Sequence, residues 1–134
     1  MDIIEWNDEY SVKIKSIDDQ HKQLFTLLNS FIQNVNNNDN HLLPQQFNEL
    51  KKYALIHFDY EERLLRIHHF PFFSGHITEH NHFSKKVLEI ESHFLRGDTD
   101  INTEMVEFLK IWIIQHISGS DKLYADFLKK RGVV

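Results

Sequence analysis

Apolar residues recur every three or four positions over four long stretches of this chain, with polar residues between them. The first stretch puts Leu24, Phe25, Leu28, Phe31, Ile32 and Val35 on one stripe, the 3.6-residue period of an amphipathic helix. The second reads Phe47, Leu50, Ala54, Phe58, Leu64 and Leu65, and the third Phe73, Phe83, Val87, Ile90 and Phe94. The fourth reads Met105, Leu109 and Trp112, then resumes at Tyr124 and Leu128. Turn-forming residues separate the stretches: Asn36 to Asn40, then Phe70-Pro71, then Gly97. The pattern predicts helices over 18–36, 44–67, 73–96 and 103–130. Asp18 is the expected N-cap of the first, and Pro44 suits the first turn of the second. Asp98, Asp100 and Asn102 are expected to form the last loop and its cap. Residues 1–17, where Trp6, Tyr10, Val12, Ile14 and Ile17 alternate loosely with charge, read as an arm laid across the helices. The expected fold is all-α: an antiparallel four-helix up-down bundle with an irregular N-terminal arm, one domain over 1–134.

Charge and composition narrow the class. A net charge of -5 argues against a nucleic-acid surface. No run of about 18 apolar residues is present, so no membrane span is expected. The start of the chain lacks the apolar run of a signal peptide, and cysteine is absent. Disulfides and thiolate metal sites are thereby excluded, and a cytoplasmic location is expected. Ten histidines are the unusual feature, because imidazole is the commonest protein ligand for transition metals.

Five of those histidines continue the apolar stripes. His21 shares the first stripe, His57 and Glu61 the second, His76 and His80 the third, and His116 the fourth. The i,i+4 spacing of His57/Glu61 and His76/His80 places each pair on one helix face. Asp121 follows His116 by five positions, which leaves the two roughly 140° apart on a regular α-helix. Both face one centre only if the helix is widened there, so Ser118-Gly119-Ser120 is expected to carry a π-type bulge. Five imidazoles and two carboxylates exceed what one zinc needs. They suit a dinuclear centre of iron, for which imidazole with carboxylate is a fitting donor set. Glu61 and Asp121 on apolar stripes are otherwise hard to explain, since a buried charge needs a partner. His41, His68, His69, His82 and His93 fall off the stripes and are expected at the surface or rim.

Together these stretches resemble the hemerythrin family in its single-domain bacteriohemerythrin form. The likeness covers nearly the whole chain: the arm (W-N-D-E-Y-S-V-K-I), I-D-D-Q-H-K-Q-L-F, H-F-D-Y-E-E, H-I-T-E-H-N-H-F and H-I-S-G-S-D. Lys13 departs from it, standing where a small residue is common, and Phe70 precedes Pro71 where Tyr is frequent. The resemblance implies a di-iron domain. One non-haem iron would be held by His76, His80 and His116, and the other by His21 and His57. Glu61, Asp121 and an oxo or hydroxo group would bridge them. It further implies reversible dioxygen binding at the open position of the second iron, for oxygen carriage, storage or delivery.

A dioxygen pocket should be dry and apolar. Ligand neighbours offer Leu24, Phe25, Phe58, Trp112, Ile113 and Ile117. The nitrogen-rich donor set favours binding over oxidation chemistry, and neither a further carboxylate nor a Tyr is expected inside as an acid/base partner. A non-enzymatic role follows, with dioxygen as partner and no protein partner identified. The alternatives are oxygen or redox sensing, or a di-iron oxidase or nitric-oxide-handling activity at the same centre.

Overall fold

Helix formation follows the apolar stripes closely. The structure, a computed structural model, describes residues 2–39, 41–97 and 103–134. Helix α1 spans Lys15–Asn36, α2 Leu43–Ile67, α3 Phe73–Leu95 and α4 Thr103–His116. A π-helical turn, Ile117–Asp121, joins α4 to α5, Lys122–Lys129. The fourth long segment is therefore one helix with a widened turn inside it. Helix α1 packs along α2, α2 along α3 and α3 along α4, giving an antiparallel four-helix bundle with no strand among the described residues. Pro44 sits in the first turn of α2. Asn38 takes a left-handed backbone in the turn after α1. The expected cap residues Asp98, Asp100 and Asn102 lie outside the described residues.

Asp18 does not cap α1. The helix begins three residues earlier, with Ile14 as its N-cap and no side-chain cap bond. Nothing in Lys15-Ser16-Ile17 breaks a helix, and Ile17 gains full burial by joining it. From the first turn, where helix polarity favours an anion, Asp18 reaches back to the arm. Its Oδ1 accepts the Val12 amide at 2.8 Å and its Oδ2 the Ser11 hydroxyl at 2.6 Å.

The arm is irregular apart from a 3-10 turn at Asp8–Tyr10. Asn29 of α1 clamps it: the Ile4 amide donates to Oδ1 at 2.8 Å, and Nδ2 donates to the Ile4 carbonyl at 2.7 Å. Trp6 and Tyr10 pack edge-on to Phe25, with ring centroids 5.5 and 5.1 Å away. Lys13 has φ 60. That left-handed conformation costs an L-residue about 1–2 kcal/mol, a physical reason for a small residue at this position.

Two apolar clusters form the core. The larger includes Leu28, Phe31, Phe47, Ile90 and Leu109. The smaller joins Val12, Ile14 and Ile17 of the arm and α1 to Leu65, Phe70, Tyr124 and Leu128. A buried polar layer lies between them. Phe58 and Trp112 stack on it from the first cluster, and Tyr124 meets it from the second.

Candidate metal centre

The polar layer consists of His21, His57, Glu61, His76, His80, His116 and Asp121, all buried. Helix α1 contributes one of them, α2 and α3 an i,i+4 pair each, and the fourth helix a pair that spans the π turn. The widened turn performs the expected rotation, bringing His116 Nε2 to 3.1 Å from Asp121 Oδ1. Their ligand atoms fall into two groups, each with all atoms within 4.8 Å of one another. One is Glu61 with His76, His80 and His116; the other is His21 and His57 with Glu61 and Asp121.

Both carboxylates divide their oxygens between the groups. Asp121 Oδ2 lies 2.9 Å from His21 Nε2, whereas Oδ1 faces His116 and, at 3.5 Å, His76. Glu61 Oε1 lies 2.6 Å from His57 Nε2, and Oε2 lies 3.6 Å from His76 Nε2.

Polar neighbours set the tautomers. His57 Nδ1 donates to Gln20 Oε1 at 2.6 Å, and His80 Nδ1 donates to Glu62 Oε1 at 3.4 Å. Glu79 Oε2 lies 3.4 Å from His116 Nδ1 and also accepts the Ser120 hydroxyl, tying α3 to the π turn. With its proton on Nδ1, His57 turns a bare Nε2 lone pair toward a carboxylate oxygen 2.6 Å away. Two electron-rich atoms are held that close only by a cation or a proton between them. The Nε2 atoms of His21, His57 and His76 and all four oxygens of Glu61 and Asp121 are buried without an aligned hydrogen bond. The Nε2 atoms of His80 and His116 stand 3.0 Å apart. Nitrogens about 2.0–2.1 Å from one ion and at right angles around it are separated by about 3 Å.

Burial and charge pull against each other across the cluster. Burial opposes protonation of His116, but Asp121, with Glu79 and Glu61, raises its pKa to about 10. Burial lowers His80 to about 3, because His116 and His76 offset the pull of Glu61. Burial pushes the Glu61 carboxyl up, yet His57 and His76 more than reverse it and hold it well below the ordinary range. Asp121 is lowered too, its burial and the charge of Glu61 being outweighed by His116 and His21. Both buried carboxylates are thus favoured in their ionised form by the imidazoles around them.

This cluster on this bundle decides the family. A profile of the Hemerythrin HHE cation binding domain matches residues 12–128. The chain belongs to the hemerythrin family. A bacteriohemerythrin of Stenotrophomonas maltophilia is 31% identical over 129 residues, covering 96% of this chain and 84% of its own length. One of Clostridium acetobutylicum is 32% identical over 126 residues, covering 90% of this chain and 98% of its own length. A crystal structure of wild-type hemerythrin aligns with a TM-score of 0.87 at 25% identity, covering 93% of this chain and 97% of that one. No helix among the described residues is long and apolar enough to cross a membrane.

A cavity of about 10 Å³ adjoins the hemerythrin cluster at His57, His116 and Asp121, room for about one water-sized molecule. Leu24, Phe58, Trp112, Ile113 and Ile117 line it, together with Ala54 and Phe83. Phe25 does not line it; its ring is turned to Trp6 and Tyr10 of the arm. The off-stripe histidines stay outside the cluster: His41, His69 and His82 are exposed, and His68 and His93 half-buried.

Stripe reading passed over Gln20, Glu62 and Glu79, which each sit one position from a cluster residue in the chain. One helical step turns a side chain about 100°, to the flank of the stripe. A polar residue beside His21, Glu61 and His80 was the available signal. Tyr124, read from the fourth stripe as a core ring, also meets the cluster. Tyr124 is fully buried, and its ring centroid lies 5.2 Å from that of His76. It shares the helical face of Asp121, three positions earlier, and its ring had counted only as core.

Proposed function

We propose that this hemerythrin domain holds two non-haem iron ions and binds dioxygen reversibly. The observation that carries this reading is the set of orphaned, converging ligand atoms beside a small apolar cavity. His76, His80 and His116 would hold one iron, and His21 and His57 the other. Glu61 and Asp121 would bridge them, with an oxo or hydroxo group completing the core. Two ferrous ions would supply four positive charges, two of which Glu61 and Asp121 offset, and the electrons that dioxygen binding requires. The two-histidine side has one imidazole fewer, and the cavity touches that side at His57 and the other at His116.

The chain's own part is to orient and to exclude water. Gln20 and Glu62 fix the imidazole tautomers of His57 and His80. Phe58 stacks on His80 at 3.9 Å and Trp112 on His116 at 4.5 Å between ring centroids, closing the larger core over the cluster. A dry pocket withholds the solvent protons that would turn reversible binding into oxidation. Carriage, storage or delivery of dioxygen, without turnover, is the role this arrangement supports.

The test is an optical spectrum of the anaerobically reduced, iron-loaded protein before dioxygen, with it and after its removal. A visible charge-transfer band that appears and then fades is expected. Growth of oxo-bridged ferric absorption alone would sink the reversible reading and favour oxidase or redox-sensing chemistry at the same centre.

A further inference from the structure

Tyr124 is fully buried, and its hydroxyl makes no aligned hydrogen bond. A buried polar group without a partner costs about 1–3 kcal/mol, so a hydroxyl at this place asks for a reason. The smaller core would accept a phenylalanine ring in the same space. What the hydroxyl adds is one donor at the floor of the cluster. The ring stands edge-on to His76 at an interplanar angle of 69°, and His76 Nε2 in turn lies 3.6 Å from Glu61 Oε2. Both Glu61 oxygens are themselves unpaired. A donor without an acceptor and an acceptor without a donor therefore lie inside one dry layer.

We propose that Tyr124 is a positioning residue: its O–H donates to the Glu61 carboxylate and holds that side chain with one oxygen toward each half of the cluster. The proposal rests on the reading of the cluster as a metal centre. A phenol is protonated at neutral pH, so the donor is present. A carboxylate that shares electron density with a hydrogen-bond donor gives less of it to a cation. Tyr124 thereby weights the pair of irons toward the ferrous state, the state that binds dioxygen.

The test compares wild type with Tyr124→Phe, which keeps the ring and removes the donor. Titration with Co2+ under argon reads ligand geometry through its visible d–d bands, with no dioxygen involved. Wild type is expected to take up two Co2+. The variant should also bind Co2+ but with altered d–d bands, while its metal-free melting temperature stays within a few degrees. In the iron-loaded proteins the midpoint potential of the variant should fall by about 59 mV, a tenfold shift in a one-electron equilibrium. With 3-fluorotyrosine at position 124, a stronger donor of nearly the same shape, the potential should move the other way. Identical d–d bands and equal potentials in wild type and Tyr124→Phe would overturn the positioning role and leave the metal centre standing. Failure of wild type to take up two Co2+ would instead overturn the metal reading, and this inference with it.

Discussion

Gln20 accepts the Nδ1 proton of His57 at 2.6 Å and so determines which nitrogen of that ring faces the cluster. His80 has a carboxylate, Glu62, in the same role, and Glu79 stands at 3.4 Å from His116 Nδ1. The two halves of the centre are therefore supported unequally, by an amide near the two-histidine group and by carboxylates near the three-histidine group. Loss of an outer partner of this kind commonly costs 10–100-fold in metal affinity. Gln20→Ala should weaken binding of one of two divalent ions by about that factor and leave the other ion nearly unchanged. Calorimetric titration with Co2+ checks it, and two unaltered affinities would show that packing alone orients His57. His57, His76 and His80 were legible from i,i+4 spacing on apolar stripes, and His21 and His116 from the stripes alone. Their outer partners were not, because the acceptor for a ring on α2 comes from α1, and only packing brings the two together.

The π turn between α4 and α5 is where the fourth helix departs from regular geometry. His116 and Asp121 are five positions apart and still converge, at 3.1 Å. Ser118, Gly119 and Ser120, weaker helix formers, marked this place in the sequence. Gly119 needs no positive φ there, and a Cβ built on it meets no heavy atom within 4 Å. Instead, the turn is held by its ends, through His116 and Asp121 in the cluster and the Ser120 hydroxyl on Glu79. Gly119→Ala should retain full metal binding and gain up to about 1 kcal/mol of stability, the helix-propensity difference between the two residues. Urea unfolding with parallel metal titration decides it. A loss of metal binding would show that glycine is needed for the widened turn after all.

At the scale of the whole molecule, two apolar clusters sandwich a layer that holds five imidazoles and two carboxylates. Asp121, with Glu79 and Glu61, favours the protonated form of His116 against the effect of burial. Every helix of the bundle would be cross-linked by the same two ions, so metal binding and folding should be coupled. At a free ion concentration one hundred times the dissociation constant, each site adds about 2.7 kcal/mol. For a chain of this size that is about 10 °C in thermal midpoint per site. Stripping metal with a chelator should therefore lower the midpoint by that order, as scanning calorimetry of the two forms would show. Equal midpoints would mean that the bundle stands on its two apolar clusters alone.

Periodicity and spacing along the chain determined the four helices, the seven clustered side chains and the place where the last helix must widen. Each of these is a property of one helix, set by where successive side chains point around a single axis. Tertiary structure decided the rest. It drew Asp18 out of its expected cap to hold the arm, and it turned Phe25 to the aromatic residues of that arm. It gave His57 and His80 their outer partners, Gln20 and Glu62, and set the Tyr124 ring against His76. These relations join residues on different elements, and no period within one segment encodes which neighbour its flank will meet.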